Sequence, residues 1–287
     1  MTPGRDDPVQ EGAGRGASAG DGAPRVLVVT GLAFEAAIAR RCADVDVLFG
    51  VGAAAAAALH ARLAAAGRRP SGIVSFGTAG ALDPACQPGD CLLARTVLEL
   101  PPARAPDPAD VVSPHAGMPR AGMPRAGMPR AGSEAGTETG TRDMRRHPVD
   151  ARWLERLVAA LPHAACVDFV GSATPVVSAA QKQLLHRRTG AAAVDMESAA
   201  LARVAATHGL PFVVCRVVID RASHTLPAAA LAGMHADGGT RILPVIASLL
   251  RHPAQLPSLL ALANDARRAR RTMTGLARHM PPGFGRG

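Results

Sequence analysis

The chain has 287 residues, 48% hydrophobic and 19% charged, a globular balance in a length that buries a core without disulfide or metal staples. Aromatic residues are only 2%, with no Tyr and one Trp, which argues against the stacking platforms that grip single-stranded nucleic acid. The net charge of +9 is concentrated at one end: residues 251–287 carry seven arginines against one acid, leaving +3 for the other 250 residues. That is a basic end and not a basic domain, so no nucleic-acid partner is expected.

Residues 1–24 are rich in Gly, Asp and Arg and offer almost nothing to bury, which predicts a disordered tail and no secretory signal. Val26–Thr30 is a continuous apolar run of buried-strand type. A helix is expected over 33–42, a second strand over Asp44–Phe49, then Gly50-Val-Gly52 and an Ala-rich helix to about Ala66. A third strand, Gly72–Phe76, runs into Gly77-Thr-Ala-Gly80. From Pro101 to about His147 the rhythm breaks, with Ala-Gly-Met-Pro-Arg three times in tandem; Pro and Gly in every copy predict a low-complexity surface insertion. The pattern resumes with a helix over Pro148–Leu161, a strand over Cys166–Gly171 and a helix over Ala179–Arg188. A short strand then leads into Asp195-Met-Glu197, which opens a helix to about His208. Pro211–Ile219 is a further apolar strand ending at Asp220, and helices follow at roughly 240–250 and 257–280. Apolar strands alternating with helices predict a largely parallel sheet covered on both faces. The organisation expected is a tail (1–24), one α/β domain (25–250, with an insertion over 101–147) and a basic amphipathic end (251–287).

Five cysteines (42, 86, 91, 166 and 215) show no C-x-x-C pair and no zinc spacing, and read as small buried hydrophobes of a reducing compartment. No run of 18 apolar residues exists to span a membrane, so a cytoplasmic protein is expected. His115, His147, His208, His224 and His235 read as surface or structural residues. Ligands of open α/β sheets collect at the carboxyl ends of strands, and three acids sit there: Glu35, Glu197 and Asp220. The Gly-rich turns at 50–52 and 77–80 expose N–H groups able to hold an anion or a ribose oxygen. Singly these signals are weak, because an acid at a helix start more often caps it.

Their order and spacing are more specific. Thr30-Gly-Leu-Ala-Phe-Glu35, Phe49-Gly-Val-Gly-Ala53, Ser75-Phe-Gly-Thr-Ala-Gly80, Gly89-Asp90, Val194-Asp-Met-Glu-Ser198 and Cys215-Arg-Val-Val-Ile-Asp220 together resemble the purine nucleoside phosphorylase and nucleosidase superfamily. The methylthioadenosine/S-adenosylhomocysteine nucleosidase branch is especially similar. Across its whole length, including His147-Pro-Val-Asp150 and the basic C-terminal helix, the chain looks most like the hopanoid-associated phosphorylases, linked to adenine release from adenosylhopane. The resemblance implies a three-layer α/β fold of nucleoside phosphorylase type, with a mixed central sheet flanked by helices. It implies N-glycosidic bond cleavage, with Asp220 protonating the leaving purine at N7 and Glu35 activating water. Glu197 would grip the ribose hydroxyls with Met196 packed on the sugar, and Thr78, Ala79 and Gly80 would line the substrate site. Thr174, Pro175 and Val176 stand in the base-binding loop by position only.

The alternative nucleophile is phosphate, a co-substrate that Gly31, Gly52 and Thr78 would hold; no metal or other cofactor is implied. The chemistry suits the residue types, because cleavage places negative charge on the base and positive charge on the ribose, and two acids on opposite sides divide that work. The sequence departs from the nucleosidase pattern at Ile219, where a Ser usually precedes the catalytic Asp, and at Ser172-Ala-Thr-Pro-Val176, where an Asp-x-Phe element is usual. The other readings are a soluble methylthioadenosine/S-adenosylhomocysteine nucleosidase and, in another class, a non-catalytic nucleoside-binding protein. A homo-oligomer is implied by the superfamily. Leu259, Leu262, Ala266, Ala269, Met273, Leu276 and Met280 form one narrow apolar stripe with arginines on the remaining faces. Such a helix docks on its own domain or a sister subunit, or lies peripherally on the inner membrane face, where it would meet a lipid-linked substrate.

Overall fold

The structure, a computed structural model, describes residues 24–65, 67–101, 144–226 and 256–286. Strand β1 (Val26–Thr30) is buried along its whole length, and its side chains alternate between two cores. Leu27 and Val29 join one apolar cluster, and Val26 and Val28 join the other. A strand with two buried faces needs apolar residues at every position, which is why VLVVT reads as a continuous run. It lies between β2 (Val45–Phe49) and β3 (Ile73–Ala81), parallel to both.

The first core is closed by α2 (Ala53–Ala64) and α5 (Ser198–Thr207), through Ala55, Leu59, Leu201, Ala202 and Ala205. The second is closed by α1 (Ala33–Ala39), α3 (Ala151–Ala160) and the C-terminal helix Leu256–His279. These are the three layers expected. In the C-terminal helix Ala269, Met273 and Ala277 are buried in the second core, while Arg267, Arg268, Arg270, Arg271 and Arg278 are exposed. The apolar stripe therefore docks on its own domain, the first of its two expected uses.

The sheet is mixed. β8 (Phe212–Asp220) runs parallel to β3 along one edge, and β4 (Cys91–Glu99) pairs antiparallel to β8 and parallel to β6 (Ala165–Gly171). The short β7 (Ala193–Asp195) lies parallel to β6 and returns antiparallel to the last two residues of β3. Strands β3, β8, β4, β6 and β7 thus close into a ring, with β1 and β2 as an open wing. The same edge of β3 serves two neighbours: β1 pairs with it as far as Ser75, and β7 joins at Gly80. Residues 76–79 between them have no strand partner on that edge, and this split opens the sheet for a site.

Three expectations change. Residues 77–80 are not a turn: they continue β3 to Ala81, because β8 pairs with them along the other edge. The insertion does not extend to His147, because Arg145–Pro148 is a strand, β5, antiparallel to β4. Its residues are polar, so no apolar pattern announces it; Glu99 on β4 holds it by receiving His147 at 2.8 Å. The helix expected from Pro148 accordingly starts at Ala151, capped by the Asp150 carboxylate on the Trp153 N–H. The tail to residue 23, the Ala-Gly-Met-Pro-Arg repeats and the helix at 240–250 lie outside the described residues. Among the described residues no helix is long and apolar enough to cross a membrane.

Candidate active site

Glu35 lies on the first turn of α1 and its side chain is 1% exposed. Oε2 accepts from the N–H groups of Gly31 (3.1 Å) and Leu32 (2.9 Å), so the acid does cap its own helix. It does more than cap. Oε1 reaches the unpartnered stretch of β3 and accepts from the N–H (2.8 Å) and the hydroxyl (2.7 Å) of Thr78. Four donors on two oxygens favour the carboxylate form, yet burial pushes the pKa from 4.5 up to about 7, Arg216 opposing and Glu197 adding to the shift.

Glu197 ends the β7–α5 junction. Its Oε1 accepts from the Gly52 N–H at 3.1 Å, and its Oε2 meets Arg216 Nη2 at 3.2 Å. Its pKa is raised by burial, against the pull of Arg216 and with a further push from Asp195. Met196, half-buried, is near the same turn, with its methyl 3.8 Å from where a Cβ on Gly52 would stand. A Cβ on Gly31 would come within 2.8 Å of Glu197 Oε1. A glycine at 31 is thus what lets the β1–α1 turn approach Glu197.

Arg216 joins these groups. It sits in the middle of β8, 1% exposed, with Nε 2.9 Å from Asp195 and Nη2 against Glu197 and 2.7 Å from the Ser75 hydroxyl. Burial disfavours its charge, and Asp195, Glu197 and Glu35 more than restore it. Gly77 is the second glycine with a steric reason, because a Cβ there would lie 2.5 Å from Arg216 Nη1 and 2.6 Å from Glu35 Oε2. The sequence motif contained Arg216 without giving it a role; the available signal was an arginine inside an otherwise apolar strand, four residues before Asp220.

Asp220 ends β8, 5% exposed. Its Oδ1 would stand 3.1 Å from a Cβ on Gly80, and Gly80 and Asp220 are register partners. Residues Thr78, Ala79 and Gly80 therefore run as one segment from Glu35 to Asp220. Burial raises the Asp220 pKa, with Lys182 opposing most strongly. Lys182, buried on α4 (Ala179–Thr189), forms an ion pair with Asp220 Oδ2; the sequence reading did not anticipate it. Thr174 and Pro175 are exposed and Val176 is half-buried. Their loop adjoins the turn after Asp220, since Leu226 N–H donates to Val177 C=O (2.9 Å) and Ala179 N–H to the Thr225 hydroxyl (3.2 Å).

Chemically, the arrangement gathers Glu35, Asp195 and Glu197 around one guanidinium in a dry interior, so it is short of positive charge. Preorganised negative charge of this kind stabilises a cation that develops during reaction. Asp220 stands at the other end of the 78–80 segment with one oxygen uncommitted among the described residues.

Residues 19–250 match the Phosphorylase superfamily, and the chain belongs to that family. No curated protein matches it in sequence. Among solved structures it is similar to the S-adenosylhomocysteine nucleosidase of Streptococcus pyogenes in complex with 5-methylthiotubericidin, at 16% identity over 90% of this chain and 98% of that one, TM-score 0.53. It is similar also to the 5′-methylthioadenosine/S-adenosylhomocysteine nucleosidase of S. pneumoniae, at 14% identity over 90% and 100%, TM-score 0.53. The futalosine hydrolase of Helicobacter pylori aligns at 13% identity over 89% and 97%, TM-score 0.52. At these identities the likeness is one of fold.

Proposed function

We propose that this protein hydrolyses the N-glycosidic bond of an adenine nucleoside, with water as the nucleophile. One observation carries the choice of water over phosphate. The donors of the three residues that a phosphate would use are already taken by carboxylates: the Gly31 N–H and both the N–H and hydroxyl of Thr78 by Glu35, and the Gly52 N–H by Glu197. A phosphate dianion entering there would meet two acids and an arginine already paired with Asp195 and Glu197. Water carries no such penalty. The nucleosidase and hydrolase activities named for the structural neighbours support the same reading.

In this reading Glu35 takes a proton from water as it attacks C1′. Glu197 holds the ribose hydroxyls, and its charge with that of Asp195 favours the oxocarbenium-like sugar. Asp220 delivers a proton to N7, so the base leaves neutral. General acid help of this kind contributes about 10²–10⁴-fold. Two acids and water complete the reaction with no metal or organic cofactor.

The finer substrate we propose is a lipid-linked adenosine, adenosylhopane, supported by the chain-wide resemblance that includes His147-Pro-Val-Asp150 and by the exposed arginines of the C-terminal helix. The second reading is soluble methylthioadenosine or S-adenosylhomocysteine, favoured by the internal docking of that helix's apolar stripe. Adenine release is measured from adenosylhopane in mixed micelles and from methylthioadenosine, each with and without phosphate, with mass analysis of the sugar. Free ribose regardless of phosphate is expected, and a ribosyl phosphate would overturn the hydrolytic reading. Asp220→Asn should lower turnover by about 10²–10⁴-fold while retaining nucleoside binding; unchanged turnover would remove the acid from the mechanism.

A further inference from the structure

Lys182 is the only lysine in 287 residues and is fully buried. A lysine in so arginine-rich a chain, on a helix whose other basic residues are exposed or half-buried, needs a reason. Its ammonium group has three N–H donors, and the structure supplies three acceptors: the Asp220 carboxylate at Oδ2, the Arg221 carbonyl at 2.9 Å and the His224 carbonyl at 3.0 Å. No donor is left over. Among the described residues the other titratable groups that act on Asp220 are His224 beside it and Asp265 on the C-terminal helix. Asp265 is itself buried, with Arg221 at 3.4 Å and His224 at 3.9 Å.

We infer that Lys182 is the positioning residue of the acid: it fixes Asp220 through Oδ2, leaves Oδ1 as the oxygen that protonates the purine, and neutralises the carboxylate this transfer creates. The inference rests on the nucleosidase reading above. The step balances. The C1′–N9 bond breaks with its electron pair going to the base, the Oδ1 proton passes to N7, and the new negative charge on Asp220 appears beside an ammonium already in contact. Burial alone would make Asp220 a weak acid, reluctant to ionise. The adjacent cation favours the ionised product and so makes proton donation easier in the transition state, where it is needed. By binding two carbonyls of the turn that follows Asp220, the same amine also holds the carboxyl group in place from the chain side. The departure at Ile219, which removes the usual neighbouring hydroxyl, leaves this lysine as the polar partner of Asp220 among the described residues.

The test has two arms on the full-length protein. In the first, pH profiles of kcat and KM are compared for the wild type, Lys182→Met and Lys182→Arg, with adenine release as the readout. An opposite charge at this distance lowers a carboxyl pKa by about 1–3 units. In Lys182→Met the ionisation assigned to Asp220 should therefore move up by about 1–3 pH units, with kcat falling about 10–100-fold and KM changing little. Lys182→Arg should restore part of both. A Met variant that loses activity with its ionisations unmoved would show a merely structural role and overturn the inference. In the second arm, lysine is labelled with ¹⁵N at Nζ. One lysine gives one side-chain resonance, whose shift should follow an ionisation absent from Asp220→Asn; a resonance indifferent to that substitution overturns the inference even if Lys182→Met does not fold. A wild type that releases no adenine from any adenine nucleoside would refute the functional reading instead, and the resonance would still report on the pair.

Discussion

Glu35 offers a measurement that separates its charge from everything else it does. Its folded pKa is about 7 against 4.5 for the free side chain. Below about pH 4.5 it is protonated in both the folded and unfolded chain. Between 4.5 and 7 the folded protein keeps the proton that the unfolded chain loses, so stability falls as pH rises, and above 7 the loss is complete. At about 1.4 kcal/mol per unit, a shift of roughly 2.5 units is worth on the order of 3 kcal/mol. Glu35→Gln cannot titrate. Its amide also sets an NH₂ group against the donors of Gly31 and Leu32 or those of Thr78, a cost of about 1–3 kcal/mol that does not vary with pH. Glu197 and Asp220 also have raised pKa values and make both proteins less stable at high pH, so the informative quantity is the difference between them. Urea unfolding of wild type and variant from pH 4 to 8.5 should show that difference shifting by about 3 kcal/mol in favour of the variant, mostly between 4.5 and 7. A difference that stays flat would mean that four hydrogen bonds and Arg216 fully compensate the carboxylate. Glu35 would then be an ordinary ionised acid and a weaker base than the mechanism requires.

Gly77→Ala places a methyl group against both Arg216 and Glu35; kcat/KM should fall at least about 10²-fold, as misplacing a catalytic group by about 1 Å does, and a near-normal rate would mean that the cluster tolerates displacement. Met273→Ala empties a fully buried position under the C-terminal helix and should cost about 2–5 kcal/mol in urea unfolding; a loss well below 1 kcal/mol would mean the helix adds little to the core. Because the buried part of the apolar stripe is turned inward, contact of this helix with anionic vesicles would rest mainly on its exposed arginines, Leu256 and Leu260 being its only large apolar side chains left exposed among the described residues. Co-sedimentation should then vanish at about 0.5 M salt, where charges are screened within a few ångströms, and binding that survives salt would require apolar insertion.

How much of this was legible depended on where the partner of each residue lies in the chain. β1, α2 and β8 announce themselves because their patterns are complete within a few residues, and both faces of β1 are read directly from VLVVT. β4 gave no such signal: its identity comes from β8 on one side and β6 on the other, neither of them its neighbour in sequence. β5 is defined by Glu99 across the ladder and by nothing apolar of its own. The three acids were found because they stand at strand ends in a recognisable order. Arg216 and Lys182 escaped for the opposite reason. A basic residue is ordinarily read as surface, and only the folded chain brings Asp195, Glu197 and Glu35 around the one and Asp220 against the other.

Those two buried cations explain why acids alone could not make the site. Burial already raises the pKa of Glu35 and Glu197 with Arg216 in place; without it the three acids would hold their protons still more tightly, or the cluster would open to water. With Arg216 the interior accommodates them but remains deficient in positive charge, and in the proposed reaction a ribose becoming cationic at C1′ would supply it. On the base side of the proposed reaction the balance is reversed: Lys182 would stabilise the Asp220 carboxylate that remains once its proton has passed to the purine. In the proposed mechanism each half of the site would thus be completed only as the bond breaks, the condition for binding the transition state more tightly than the substrate.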